Sequence, residues 1–319
     1  MVASAPASDL NAFDIPAAGT MDMQDLINVY EVLRPWLPAP RPAEARNTDR
    51  LVDILDHVDA LILDGFGVLN VGWDPIDGIH DFLATAAARD VALMVLTNGA
   101  GQGADASWQK YRAWDLPLAR NQVVSSRDAL EADIDRLAAD KRVGVIGGGV
   151  RPFDLTGEIT MAEPDRLFTE AEIFAFLGSG MWGEDEQQQL EQALRLPGRV
   201  LFVANPDIGA PLGDQFSTEP GYWAVRAMQA TGTRPLWFGK PHPAAFDIAM
   251  KHLQDVFGRP FERHRVGMVG DSLHTDILGA SAAGLQSVLL TDYGLFRDGG
   301  APAMIRRCGI IPDWIVAGL

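Results

Sequence analysis

Ala60-Leu61-Ile62-Leu63-Asp64-Gly65-Phe66-Gly67 places a carboxylate and a glycine turn directly after four apolar residues. A run this short and this apolar reads as a strand covered on both faces, as in a parallel sheet flanked by helices. Three more runs end on chemically useful groups. Leu93-Met94-Val95-Leu96 leads into Thr97-Asn98, Pro235-Leu236-Trp237-Phe238-Gly239 into Lys240, and Val266-Gly267-Met268-Val269-Gly270 into Asp271, with Asp276 shortly after.

Working outward, the apolar runs at 60–63, 91–96, 143–146, 200–204, 235–239, 266–270 and 287–290 alternate with helical patterns. This predicts an α/β fold, a Rossmann-like doubly wound parallel sheet. Such sheets bind ligands beyond the C-terminal ends of their strands, where Asp64, Thr97, Lys240 and Asp271 are expected to gather. The long interval between Thr97 and Lys240 has the size of a small domain. The expected division is therefore an N-terminal extension at 1–47, a core formed by 48–130 and 234–319, and an inserted α/β cap at 131–233. Residues 1–20, rich in Ala, Ser, Pro and Asp, are expected to be loose. Met23 to Arg34 shows helical spacing with a narrow apolar stripe, and Pro35 to Pro42 ends that helix. The segment has two readings, a cover for an apolar surface or a dimer contact.

The chain has 319 residues, 47% of them apolar, and a formal net charge of −17. That balance argues against nucleic acid and against an anionic membrane surface. It leaves room for a small phosphorylated substrate held by local cations. A single cysteine, Cys308, forms no intrachain disulfide and fits a reducing compartment. No secretory signal is expected at Met1 to Gln24, and no apolar stretch reaches the roughly 18 residues of a membrane span. A cytoplasmic protein is the expectation.

Each candidate residue has a plain alternative. Asp64 at the mouth of a parallel sheet suits nucleophilic attack on phosphorus, and would otherwise be a helix cap or a solvated turn residue. The glycines of Asp64-Gly65-Phe66-Gly67 favour the first reading, since they let the backbone turn beside a ligand. Asp271 and Asp276 suit Mg2+, which takes one or two carboxylates plus waters and phosphate; both could instead be capping residues. Thr97, Asn98 and Gly99, read as the start of a helix, offer a hydroxyl and free N–H groups to an anion. Lys240, in Gly239-Lys240-Pro241-His242-Pro243, offers a point charge to phosphoryl oxygens. Four parts in this order are far more specific than any one of them.

In those residues the chain resembles the haloacid dehalogenase (HAD) phosphohydrolase superfamily, whose four motifs match Asp64, Thr97, Lys240 and the Asp271/Asp276 pair. The likeness spans roughly residues 55 to 319. It extends to subclass IIA, the nitrophenyl-phosphatase-like and sugar-phosphatase-like branch with a large α/β cap. Gly67-Val68-Leu69-Asn70 through Pro75-Ile76-Asp77-Gly78 is similar to its flap, and Ala204-Asn205-Pro206-Asp207 to its cap-exit signature. The resemblance implies a Mg2+-dependent phosphohydrolase acting on a small phosphate monoester through an aspartyl-phosphate on Asp64. It implies metal ligation by Asp64, the Phe66 carbonyl, Asp271 and Asp276, phosphoryl binding by Thr97 and Lys240, and a place for Asn205 and Asp207 near the leaving group. Members of the subclass often pair through their caps, which makes a homo-oligomer one expectation.

One residue departs from that pattern. Phe66 stands where these phosphatases carry a second aspartate, the acid that protonates the leaving group and then activates water. Such a group contributes typically about 10²–10⁴-fold in rate. Candidates for a substitute proton path are His274, His242 and Asp74. The rival reading is a weak or inactive relative that binds a phosphorylated ligand or a partner. Other features read plainly: Gly144-Val145-Ile146-Gly147-Gly148-Gly149 lacks dinucleotide-loop spacing, Met161, Met181 and Trp182 read as cap core, and Glu184-Asp185-Glu186 as a solvated helix start.

Overall fold

The computed structural model describes residues 10–212 and 215–319. Its main sheet has seven parallel strands, ordered Arg46–Arg50, Trp314–Gly318, Gln286–Leu290, Val266–Gly270, Ala60–Leu63, Ala92–Thr97 and Val123–Ser125. Alternation decides which layer each side chain enters. Leu61, Leu63, Leu93 and Val95 pack in one hydrophobic layer, and Ala60, Ile62, Met94 and Leu96 in the other. Leu63 sits opposite both Val95 and Val269, so three adjacent strands end nearly level. Asp64, Thr97 and Asp271 thus come to the same sheet edge. The first strand is one that pattern reading misses: Arg46-Asn47-Thr48-Asp49-Arg50 has no apolar alternation, and it holds the edge with Arg46 stacked 3.7 Å over the Trp314 ring.

A second sheet of five parallel strands runs Leu236–Trp237, Val200–Val203, Ile173–Phe176, Val143–Ile146 and Ile159–Thr160. Here one expectation is corrected. The run 235–239, assigned to the core, shrinks to Leu236–Trp237 and pairs with Val200–Val203 at the edge of this second sheet. Pro235 has no N–H to donate and Gly239 begins the next turn, so the strand cannot extend into a central position. The run 184–186 does open a helix, Glu184–Leu194. Trp182 is buried as expected, whereas Met181 sits at φ 63° on a tight turn and is 85% exposed rather than core.

The helix Met23–Leu33 forms where the spacing places it. Asp22 caps it, accepting from the Asp25 N–H at 2.9 Å while the Asp25 carboxylate accepts from the Asp22 N–H at 3.3 Å. Its apolar surface is wider than a narrow stripe, because it is wedged between two layers. Leu26, Val29 and Tyr30 pack with Phe174 and Phe176 of the second sheet, and Ile27 with Leu273, Ile277 and Leu278 beside the main sheet. A helix apolar on two faces is a buried helix, so the segment covers surface within its own chain. The looseness expected at 1–20 lies outside the described residues for 1–9 and fails for 10–20. Leu10 is buried, the Gln229 amide donates to the carbonyls of Leu10 and Phe13 (both 2.7 Å), and the Tyr222 hydroxyl donates to the Pro16 carbonyl at 2.8 Å. Further on, the Arg41 guanidinium ties the Pro-rich stretch to Asp313 and to the Leu285 carbonyl.

The two sheets are also joined through Arg127, whose side chain is almost completely buried. Its guanidinium donates to the carbonyls of Gly101 (3.1 Å), Arg151 (2.6 Å) and Pro152 (2.8 Å) and pairs with Glu131 at 2.7 Å. The first of those carbonyls follows the main-sheet strand Ala92–Thr97, and the other two follow Val143–Ile146. Arg127→Met keeps most of the volume but removes every donor. We expect it to lower the unfolding free energy by about 2–4 kcal/mol, measured by urea denaturation.

Candidate active site

Each site residue is placed by a strand end and then held by a polar contact. After Leu63 the Asp64 N–H still donates to the Val269 carbonyl (2.9 Å), which keeps the residue in register with the neighbouring strand. The Asp64 carboxylate accepts from the Gly65 N–H at 2.7 Å and from Lys240 Nζ at 2.6 Å. Gly67 has φ 77°, and a Cβ there would lie 2.5 Å from the Asp271 carboxylate carbon. Only glycine lets the turn pass this close to the carboxylate.

Asp271 follows the central strand Val266–Gly270, and its Oδ2 accepts from the Leu295 N–H at 2.8 Å. Asp276 lies in a single π-helical turn, Leu273–Ile277, and is completely buried. One of its oxygens accepts from Lys240 Nζ at 2.7 Å and the other from the Ser272 N–H at 3.2 Å. The Lys240 ammonium therefore sits between Asp64 and Asp276. Carboxylate oxygens of Asp64, Asp271 and Asp276 all lie within 4.8 Å of one another. One ammonium faces three carboxylates, and the electrostatics record the imbalance. Burial, then the charges of Asp276 and Asp64, push the Asp271 carboxyl well above the usual range. Asp276 is pushed up to about 6, by burial first and then by Asp64, against the pull of Lys240. Burial alone would depress Lys240, yet Asp276 and Asp64 outweigh it and hold the ammonium charged.

These groups floor a cavity of about 90 Å³. Asp64, Phe66, Thr97 and Asp271 line it from the main sheet, Lys240 from the turn after the second-sheet strand Leu236–Trp237, and Asp207 from the loop after the second-sheet strand Val200–Val203. Leu26 and Tyr30 of the N-terminal helix also line it, and nothing in the motif spacing points to them. The available signal is the apolar periodicity of Met23–Leu33, which reveals a buried face but not what it covers.

Several expectations are corrected by the geometry. Thr97, Asn98 and Gly99 do not begin a helix; the next one is Ala104–Ala113, so the Thr97 hydroxyl accepts from the Gly99 N–H at 3.2 Å within a loop. Asn98 and Gly99 both line the cavity, and the Asn98 side chain is also bonded to protein partners. Its Nδ2 donates to Asp207 Oδ1 (2.8 Å) and the Lys240 carbonyl (3.1 Å), and its Oδ1 accepts from the Lys240 N–H (2.8 Å). Asn205 does not line the cavity. It is buried behind the loop, where its Oδ1 accepts from the Asp207 N–H at 3.0 Å and its Nδ2 donates to Glu219 at 3.1 Å. None of the three candidate proton carriers reaches the cavity either. His274 is buried against Glu31 (2.6 Å) and stacked on Tyr30, His242 is stacked on Trp237 and depressed to about 4 by burial, and Asp74 is exposed on the two-stranded flap.

Comparison with known proteins agrees with this arrangement. The family model described as haloacid dehalogenase-like hydrolase matches residues 61–152, and a second, HAD-hydrolase-like, matches 237–315. An acid sugar phosphatase of Staphylococcus haemolyticus is 25% identical over 236 residues, which are 71% of this chain and 82% of that protein. Chloroplastic phosphoglycolate phosphatase 1A of Arabidopsis thaliana is 26% identical over 271 residues, 79% of this chain and 73% of the relative. In fold, the chain is similar to the crystal structure of a possible sugar phosphatase from Cytophaga hutchinsonii, with a TM-score of 0.72, 22% identity, and coverage of 86% of this chain and 98% of that one. With Asp64, Thr97, Lys240 and Asp271 brought together where two α/β sheets meet, the chain belongs to the haloacid dehalogenase-like hydrolase superfamily.

Proposed function

We propose that this enzyme is a Mg2+-dependent phosphohydrolase that cleaves a small phosphate monoester through an aspartyl-phosphate on Asp64. The observation that carries this reading is the meeting of Asp64, Asp271 and Asp276 around one buried lysine, at the level ends of adjacent parallel strands. Asp64 lines the cavity with its backbone pinned by Val269 and its carboxylate beside Lys240, as a nucleophile requires. Lys240 and the Thr97 hydroxyl would hold the transferring phosphoryl oxygens.

The residues present fit a hard cation. Asp271 and Asp276 are buried carboxyls in excess of the positive charge around them, and the backbone leaves them room. A Cβ on Gly294 would lie 1.9 Å from Asp271 Oδ2, and one on Gly270 would lie 2.1 Å from the Asp276 carboxylate carbon. In our reading Asp64, the Phe66 carbonyl and Asp271 hold Mg2+, with Asp276 ligating it or its waters. When bound, the ion supplies charge neutralisation between an anionic nucleophile and an anionic ester. The chain's own part is to pre-orient Asp64 and to keep Lys240 charged in a site closed by the second sheet and the N-terminal helix.

The size of the cavity favours a compact leaving group. The relatives named above act, by their names, on sugar phosphates and on phosphoglycolate, and both classes are small. Among the described residues no helix is long and apolar enough to cross a membrane. The rival reading, a non-catalytic binder, gains no support from this site, which keeps a poised nucleophile that binding alone does not need.

Phosphate release from p-nitrophenyl phosphate and a panel of sugar phosphates, phosphoglycolate and nucleotides tests the reading. Asp64→Asn should lower turnover by roughly 10³-fold or more, and EDTA should abolish it reversibly. A wild-type protein that releases phosphate equally well in EDTA would refute the metal. Binding has an independent readout in thermal unfolding. Magnesium at about 100 times its dissociation constant should stabilise the protein by about 2.7 kcal/mol. Asp271→Asn should remove that gain while leaving the metal-free protein at least as stable as wild type, because it replaces a buried carboxyl whose ionisation burial and the neighbouring acids oppose. A magnesium response that survives Asp271→Asn would place the ion elsewhere.

A further inference from the structure

On the phosphatase reading, a proton must reach the leaving oxygen and another must leave the attacking water, and the Phe66 side chain can serve neither. Phe66 nonetheless lines the cavity, so its position is filled rather than open. Among the described residues, the carboxyls lining this cavity are Asp64, Asp271 and Asp207. Asp64 is bonded to Lys240 and Asp271 to the Leu295 N–H at the floor. Of these three carboxyls, only Asp207 comes from a loop of the second sheet, into the same cavity as the nucleophile.

We propose that Asp207 is the general acid and base of this enzyme, taking the role that the residue at position 66 cannot perform. In the first step an Asp64 oxygen forms its bond to phosphorus, the bond from phosphorus to the leaving oxygen breaks, and the Asp207 carboxyl proton passes to that oxygen. An alcohol departs and Asp207 is left as a carboxylate. In the second step water attacks the same phosphorus, Asp207 takes the water's proton, and the bond from phosphorus to Asp64 breaks. Inorganic phosphate and the starting enzyme result.

Position and environment both suit this role. Asp207 is held at one oxygen by Asn98 Nδ2 (2.8 Å), and its N–H is held by Asn205 Oδ1 (3.0 Å). Asn98 in turn grips both the N–H and the carbonyl of Lys240, so Asp207 is indexed to the same backbone that places the lysine. The charged and titratable groups around it are Lys240 and Asp64 from the core side, Glu219 from its own side, and Tyr30 from the N-terminal helix. Burial raises the Asp207 carboxyl to about 7; Asp64 and Glu219 add to the rise, while Lys240 and the Asn98 bond oppose it. A carboxyl in that range both holds a proton to give and releases it to become a base near neutrality. Tyr30 does not compete as a base: burial, then the charge of Asp207, hold its phenol well above the usual range.

The test is Asp207→Asn, which retains an oxygen for the Asn98 bond, assayed on an alkyl phosphate (glycerol phosphate) and on p-nitrophenyl phosphate. The first should lose about 10²–10⁴-fold in kcat/KM. The second, whose leaving group needs no proton, should show a burst near one nitrophenolate per enzyme and then slow turnover, as the phosphoenzyme waits for a base. In wild type, kcat/KM for the alkyl ester should fall as pH rises through about 7, since the acid form is the one that donates, and Asp207→Asn should lose that limb. Adding Phe66→Asp to Asp207→Asn should restore at least tenfold of the alkyl activity. Wild-type rates and an unchanged pH profile in Asp207→Asn would overturn the proposal while leaving the phosphatase intact. A wild-type enzyme that cleaves no ester and never phosphorylates Asp64 would instead overturn the underlying function, and this proposal with it.

Discussion

The contact on which the rest of the molecule depends is the Lys240 ammonium held between Asp64 and Asp276, at 2.6 and 2.7 Å, with almost no exposure to solvent. Burying an ion cluster is expensive, and its mutual attraction often only repays the desolvation. A chain selected for stability alone would fill this place with apolar side chains. Here the cluster lies at the ends of strands that are themselves fully buried, so the fold's rigid centre bears its cost. Removing the lysine alone would leave two buried carboxylates facing each other, which is why the lysine and the acids stand or fall together.

Lys240 is not part of the main sheet. It follows Leu236–Trp237, the edge strand of the second sheet, and reaches back across the cavity. Its position therefore depends on how the two sheets meet, and three devices fix that meeting. Asn98 joins the strand end at Thr97 to Lys240 and Asp207, Arg127 gathers carbonyls from both sides, and the helix Met23–Leu33 packs on both layers at once. The helix also contributes Leu26 and Tyr30 to the cavity wall, and the Tyr30 hydroxyl accepts from the Ile208 N–H at 3.2 Å, next to Asp207. A segment outside the matched family models thus helps to shape the site.

What could be read from the sequence divides along a physical line. Asp64, Thr97 and Asp271 were readable because a doubly covered parallel strand is a short apolar run and its C-terminal end is where ligands bind. Their order along the chain mapped onto adjacent strands. Interactions between distant segments left no such periodic mark. Asn205 looks like a ligand-binding amide in sequence, and only its partners Asp207 and Glu219 show it to be a strut behind the loop, while Asn98 lines the cavity and also braces Lys240 and Asp207. Leu236–Trp237 reads as a core strand until Pro235 and Gly239 are seen to confine it to an edge. Arg46–Arg50 carries no apolar alternation at all, since an edge strand capped by a cation–π contact needs none. Met181 is apolar and exposed because its backbone sits in a left-handed turn.

Phe66 gains a different meaning from this geometry. In a site whose acid stands two residues after the nucleophile, the proton donor and the nucleophile ride on one turn of the core, whatever covers them. Here the turn keeps its glycines and its close approach to Asp271, so the backbone's role is preserved while the side chain has become apolar. An aromatic ring at this point lowers the local polarity and adds no fourth carboxylate to a cluster already short of positive charge. If the proton instead comes from Asp207, it comes from the second sheet, and catalysis requires the two layers to be joined. The contacts that bind the N-terminal helix to both layers are then part of the same solution: they keep the acid and the nucleophile in one frame.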